Sequence, residues 1–387
     1  MTLGYDDIVA TVPVTEPYVR RSEHGAAWFL ARALARLLQA SGLAKQAIDG
    51  LCLSSFTLAP DTSVAFTQHV ALSPRFLEWL PMGGACGVIA LRRAARAVQA
   101  GDAEVVACIA GDTANATNFR DLLAGFSSFS RAAVYPYGAG GPNASFALIT
   151  AAYMHRYGAT RVDFGRLCVA QRQNACANPL ALLRAELTLE QYLAARPVAE
   201  PLHLYDCVMP CAGADAFLVM RRARAAALGL RGVRILATIE RHNGFPEDPV
   251  QLRGGWAIDA DALWAQAGIG PGNIDLVETY DDYPVIALMQ LEDLGFCGKG
   301  EAAAFVQRHD LTVGGTFPLN TGGGQLSGGQ AGAAGGYLGL VEAMRQLTGA
   351  VPERSVAGAR HALVSGFGMI NYDRGLSTAA CVLAADR

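Results

Sequence analysis

The sequence lacks an uninterrupted apolar stretch of the roughly 18 residues needed to cross a bilayer, so no membrane-spanning helix is expected. It also lacks any long block of like charge. Lys and Arg number 31 against 34 Asp and Glu, a net charge of -3, which argues against bulk binding to nucleic acid or to a membrane surface. Basic residues are missing from the opening MTLGYDDIVATVP, which carries two acids where a signal peptide needs positive charge; a soluble cytoplasmic protein is expected. Paired cysteine spacing is missing as well. The nine cysteines sit in apolar contexts such as Leu51-Cys52-Leu53 and Ala107-Cys108-Ile109, which reads as core filling and excludes a secreted disulfide framework. His203, Cys207 and Cys211 stand four apart, but Pro201 and Pro210 interrupt the helix that would align them. No second ligand pair follows at zinc spacing, so no metal site is assigned.

What is present is a chain of 387 residues, 52% hydrophobic and 17% charged, enough to bury a large core in two or three compact units. The stretch from Gly25 to Ser41 has apolar residues at helical spacing and ends at Gly42, a suitable C-cap; a short linker leads to a buried strand at Ile48 to Leu53. The same arrangement recurs 226 residues later, where a helix over Asp261 to Ala267 meets Gly268 and Ile274-Asp275-Leu276-Val277 opens a strand. Each copy is followed by a Gly-rich turn opening an apolar helix: Gly83 to Gly87 before Val88–Ala100, and Gly322 to Gly336 before Tyr337–Leu347. Each then has a late strand, Glu104–Ala110 and Ala362–Val364. The pattern predicts two related α/β halves, 1–230 and 231–387. The first carries an excursion over about 119–222, rich in aromatic and Pro-containing loops, of the kind that can cover an active site.

Three segments carry candidate chemistry. Met82-Gly83-Gly84-Ala85-Cys86-Gly87 turns a strand end into a helix start, where exposed N–H groups suit an oxyanion. Cys86 in the first helical turn is a candidate nucleophile, set against the plainer reading of a space-filling core residue under a tight turn. Tyr280-Asp281-Asp282-Tyr283-Pro284 lies at a strand end, where α/β folds bind ligands; its polar residues are candidate proton donors and acceptors, while Asp281 or Asp282 would also suit an N-cap before Pro284. Asn320 to Gln330 is too Gly-rich for a plain connector and lacks the Lys-Ser/Thr end of a phosphate-binding loop, which leaves tight backbone packing or close approach to a substrate.

In this order, with Tyr157-Gly158-Ala159-Thr160, Arg196 to Leu202, Leu294 to Glu301 and Gly366-Phe367-Gly368, these segments resemble the thiolase superfamily over nearly the whole chain, specifically the branch of the sterol carrier protein x thiolase domain. The resemblance implies a duplicated five-layer α-β-α-β-α thiolase fold, usually dimeric, handling acyl-CoA thioesters at the junction of its halves. The departures are informative. Gly84 stands where Claisen-type thiolases carry the nucleophilic Cys, and Cys86 stands two residues later. Gln330 replaces the His of the Gly-His-Pro motif, and Val364-Ser365-Gly366 replaces the second Cys neighbourhood.

This pattern is similar to the thiolase-like aldolases that shorten steroid side chains, which dispense with the covalent cysteine. Those proteins carry a Tyr-Asp pair where Tyr280-Asp281 stands and a second Tyr where this chain has Gln330. The resemblance implies retro-aldol cleavage of a β-hydroxyacyl-CoA, with Tyr280 as base helped by Asp281 or Asp282. Gln330 and N–H groups near Gly84 would hold the thioester oxygen. Tyr283, Gly323, Gly324, Gly366 and Gly368 are expected to contact substrate. No cofactor is expected on this chain, coenzyme A being part of the substrate; a homodimer and a small OB-fold, zinc-ribbon partner are expected. The competing readings are a thiolase or acyltransferase using Cys86 as nucleophile, and a non-catalytic acyl-CoA-binding or scaffolding subunit.

Overall fold

The computed structural model describes residues 4–117, 122 and 125–386; the expected start of the excursion, at 119, lies outside the described residues. Eleven strands are named in chain order: β1 Ile8–Val19, β2 Gly50–Ser54, β3 Phe76–Trp79, β4 Val105–Thr113, β5 Pro197–Ala199, β6 Leu202–His203, β7 Ala212–Arg221, β8 Gly232–His242, β9 Leu276–Glu278, β10 His361–Asn371 and β11 Arg374–Ala385. The helices that matter here are α1 Ala26–Ser41, α2 Cys86–Ala100, α3 Pro142–Tyr157, α4 Arg161–Cys176, α5 Trp256–Ala267, α6 Pro284–Asp293, α7 Gly324–Gly328 and α8 Gly335–Thr348.

Nine strands join in the order β3-β2-β4-β7-β1-β8-β11-β10-β9, and the order is a repeat. In the first half β2 runs parallel to β4, and β4, β7 and β1 alternate direction; in the second, β9 runs parallel to β10, and β10, β11 and β8 alternate direction. The two halves meet where β1 pairs with β8 through Val9, Ala10 and Thr11.

Side-chain alternation then fixes the layers. On β4, Val106, Cys108 and Ala110 pack with α2 and α8, whereas Val105, Ala107 and Ile109 pack with α1. On β11, Cys381 and Leu383 face α2 and α8, whereas Ala380 and Val382 face α5 and α6. The stack is thus α1, half-sheet, the α2–α8 pair, half-sheet, α5 and α6, the five layers expected. Glycine makes the middle layer possible: a methyl group on Gly87 of α2 would lie 2.0 Å from the carbonyl oxygen of Gly336 on α8.

The repeat reaches individual atoms. Gly42 and Gly268, 226 residues apart, both end their helices in the left-handed region, at φ 68° and 70°. Asp49 accepts the N–H of Glu104 and Val105 at the start of β4, and Asp275 accepts those of Arg360 and His361 at the start of β10. Helices α3 and α4 pack onto the second half, with Phe146, Tyr153, Phe164 and Leu167 sharing a core with Val277, Tyr280 and Leu288.

Candidate active site

Tyr280 follows the end of β9, and its backbone is clamped from two sides. Gln290 of α6 donates from Nε2 to the Tyr280 carbonyl (2.7 Å) and accepts the Tyr280 N–H at Oε1 (3.2 Å). Asn320 Oδ1 accepts the neighbouring Thr279 N–H at 2.7 Å. So held, the ring lies over the Cα of Gly84, where a methyl group would come within 1.9 Å of ring Cε2. Gln330 Nε2 donates to the Tyr280 hydroxyl oxygen at 3.1 Å. Gln330 is itself anchored by its backbone, its N–H donating to the Met209 carbonyl and its carbonyl accepting from Cys211. Burial pushes the Tyr280 phenol well above its ordinary value, and the charge of Asp282 adds to the effect, so the group holds its proton. A phenol whose oxygen already accepts from Gln330 keeps its O–H to donate. Tyr280 therefore presents its hydroxyl, still protonated, to the pocket.

The two aspartates that follow are in different situations. Asp281 accepts the N–H groups of Gln325 (2.8 Å) and Leu326 (3.4 Å), so it caps α7. Burial raises its carboxyl to about 6 against those stabilising bonds. Neither aspartate caps α6: Tyr283 occupies that position without a side-chain bond, and Pro284 stands at N1 as expected. Asp282 opens onto the same pocket as Tyr280 and Gln330. Its Oδ1 is buried with no hydrogen-bond partner among the described residues. Burial, then the adjacent Asp281 charge, push this carboxyl well above the ordinary range.

The pocket has an aromatic wall to which Phe56, Phe126, Tyr135, Phe146, Phe367 and Tyr372 contribute. Gly84 and Gly368 line it. The other expected substrate contacts do not, and each has a packing reason to be where it is. A methyl on Gly366 would meet the Gly84 carbonyl at 2.7 Å, one on Gly324 the Asp281 carboxylate at 2.0 Å, and one on Gly323 the Ala175 Cβ at 2.6 Å. Tyr283 is buried, stacks on Phe146 and donates its hydroxyl to Asn143 Oδ1 at 2.5 Å. Cys86 is fully buried with its thiol on the Ala333 carbonyl at 3.2 Å, and burial pushes that thiol up to about 12. It lies outside the pocket and remains a thiol at neutral pH, so it fills core space.

Residues 245–379 match the family model described as thiolase C-terminal domain-like. The chain is 34% identical to the 17-hydroxy-3-oxo-4-pregnene-20-carboxyl-CoA lyase of Mycobacterium tuberculosis, over 87% of this chain and 89% of the relative. It is 32% identical to the steroid side-chain-cleaving aldolase of Thermomonospora curvata, over 80% and 82% of the two chains. The chain belongs to the thiolase-like aldolases of the thiolase superfamily. A solved structure described as Ltp2-ChsH2(DUF35) aldolase superposes with a TM-score of 0.83 at 27% identity, covering 98% of both chains.

In this thiolase-like aldolase several positioning residues escape a motif reading. Asp112, at the end of β4, accepts the hydroxyls of Ser55 and Thr57 and the Ala333 N–H (2.7 Å), fixing the turn between Gln330 and α8. Gln290 could have been found as a polar residue within the otherwise apolar run Pro284 to Leu291. Behind the pocket, Glu342 pairs with Arg354 through both terminal guanidinium nitrogens, and Thr321 bridges Glu342 to Glu278. Glu278 lies in the strand before Tyr280, and burial followed by the Glu342 charge raises its carboxyl well above the ordinary range. Nothing in the linear sequence marks these partners. Among the described residues, no helix is long and apolar enough to cross a membrane.

Proposed function

We propose that this chain cleaves the Cα–Cβ bond of a β-hydroxyacyl-CoA by retro-aldol chemistry, without a covalent acyl-enzyme. The observation that carries the reading is the occupancy of the nucleophile position: Gly84 has no side chain, and the Tyr280 ring fills the space a cysteine would need. The only thiol nearby in sequence, Cys86, is buried away from the pocket and protonated. Without sulfur attack, the barrier falls by stabilising the enolate that forms as the bond breaks. The Tyr280 hydroxyl is the donor to the thioester oxygen, Gln330 orients it, and the backbone at Gly84 forms the adjacent wall.

The substrate is a coenzyme A ester, as the name of the Mycobacterium tuberculosis relative states for its own, and the aromatic wall suits a bulky, ring-bearing acyl group. The protein works as a homodimer together with a small OB-fold, zinc-ribbon partner; the solved neighbour described as Ltp2-ChsH2(DUF35) aldolase supports the partner. The halves divide near residue 230, and the excursion from the first half covers the site. Supplying the purified chain, with and without such a partner, with paired β-hydroxyacyl-CoA and β-ketoacyl-CoA esters tests the reading. A ketone or aldehyde from the hydroxy ester supports it; CoA-dependent thiolysis of the keto ester overturns it.

A further inference from the structure

The aromatic pocket takes its walls from two distant parts of the chain, and one side chain ties them together. Gly368 on β10 packs against the Gly84 turn, where a methyl group on it would lie 2.5 Å from the Gly84 nitrogen. From there the chain runs outward through Met369 and Ile370 to the turn at Tyr372, all three lining the pocket. At roughly 3.3 Å per residue, Tyr372 stands about 13 Å from the end that holds Gly84 and Tyr280. The excursion supplies another wall, with Phe126, Ser127, Ser130 and Tyr135.

The two walls meet at Asn371, the last residue of β10. Its Oδ1 accepts the hydroxyls of Ser127 (2.6 Å) and Ser130 (2.8 Å), which occupies both of its lone pairs. Each hydroxyl also accepts a backbone N–H, that of Ser130 at Ser127 (3.2 Å) and that of Tyr372 at Ser130 (2.8 Å), so its proton is left for the amide oxygen. Ser145 of α3 donates to the Tyr372 carbonyl at 3.1 Å. Met369 and Tyr372 stand at φ 60° and 54°, in the left-handed region that bulky residues avoid. Such a conformation persists only where the surroundings enforce it, and this latch is among the contacts that do so.

We propose that Asn371 is a positioning residue that sets acyl-group specificity: by joining the hairpin to the excursion it fixes the outer half of the pocket and selects ring-bearing acyl groups over short chains. The assignment rests on the retro-aldol reading and its ring-bearing substrate. Asn371 does not itself line the pocket among the described residues, so it acts through the walls it joins. A short acyl group ends near Gly84 and gains nothing from the outer half. A ring system reaches that half and meets walls that are already ordered. With the latch removed, ordering them on binding costs part of the affinity.

The test is steady-state kinetics of the full chain and its Asn371→Ala and Asn371→Asp variants on a ring-bearing and a short-chain β-hydroxyacyl-CoA. In Asn371→Ala the ratio of kcat/KM for the ring-bearing ester to that for the short one should fall about tenfold, with the change carried by KM. Asn371→Asp keeps an oxygen that accepts both hydroxyls and should restore the ratio to within about threefold of the parent, a rescue that a general loss of folding would not show. Ser127→Ala removes one of the two hydroxyls and should shift the ratio the same way by less; it decides the matter should Asn371→Ala fail to fold. An unchanged ratio, or an equal fall for both esters, overturns the assignment and leaves the aldolase reading standing. A parent chain that yields no ketone or aldehyde from either ester overturns both.

Discussion

Tyr280 and Gly84 share one space: the ring edge of the first occupies the volume that a side chain on the second would fill, 1.9 Å from a methyl placed there. The two residues come from opposite halves of the repeat, Gly84 from the turn before α2 and Tyr280 from the end of β9. Their contact joins the loss of a nucleophile to the gain of a phenol at the same point.

Gly84→Ala is therefore expected to destabilise the chain by about 1–3 kcal/mol, the usual cost of overpacking a rigid site, and to displace Tyr280. Urea unfolding measures the first effect and turnover the second. Gly84→Cys is expected to lose lyase activity without gaining thiolysis, since the new thiol meets the Tyr280 ring and the Phe367 carbonyl, 2.3 Å from the added Cβ position.

Gln330→Ala removes the donor to the Tyr280 hydroxyl. A donor serving a group that bears charge in the transition state is worth about 1.5–3 kcal/mol, so kcat should fall about 10- to 150-fold. KM should change little, because the contact is to the protein and not to bound substrate. Steady-state kinetics on one ester decides this.

Cys86→Ser should retain turnover within a few fold. Iodoacetamide at pH 8 should label the exposed Cys176 and spare Cys86, whose thiol is buried and raised to about 12. Peptide mapping by mass spectrometry gives the answer directly.

Asp281 gives a pH dependence of stability. Its folded-state value of about 6 lies above the ordinary 3.8, so the folded chain binds this proton more tightly than the unfolded one. The stability it contributes is full below about 3.8 and lost as pH rises through about 6. Asp281→Asn removes that loss: relative to the parent, the variant should unfold at higher urea at pH 7.5 than it does at pH 4.

The fold was legible because its signals are local. The Gly42 and Gly268 C-caps, the Ile48-Asp49 and Ile274-Asp275 pairs and the two Gly-rich turns each reflect a backbone demand that recurs in both halves. The site was half legible. Gly84, Tyr280 and Gln330 stand together as their motifs suggest, but the sequence does not say that Tyr280 would be dry and proton-holding, because that depends on the layers stacked around it. Nor does it distinguish Asp281 from Asp282. Neighbours in sequence, they differ in that α7 lies within reach of one carboxylate and not the other. Gly323, Gly324 and Gly366 read as substrate contacts because close backbone approach looks the same in sequence whether a ligand or Ala175, Asp281 and Gly84 are what approach. Asp112 and the Glu278–Glu342–Arg354 network are long-range polar partners that no linear motif marks.

The central claim concerns the fate of the substrate during a single turnover. Rapid-quench mass spectrometry of stoichiometric enzyme and a β-hydroxyacyl-CoA follows the intact polypeptide and the small molecules together. The account predicts a shortened acyl-CoA and a carbonyl product forming at the same rate, with the polypeptide mass unchanged throughout. An acyl group found on the chain, on Cys86 or any other cysteine, would contradict it.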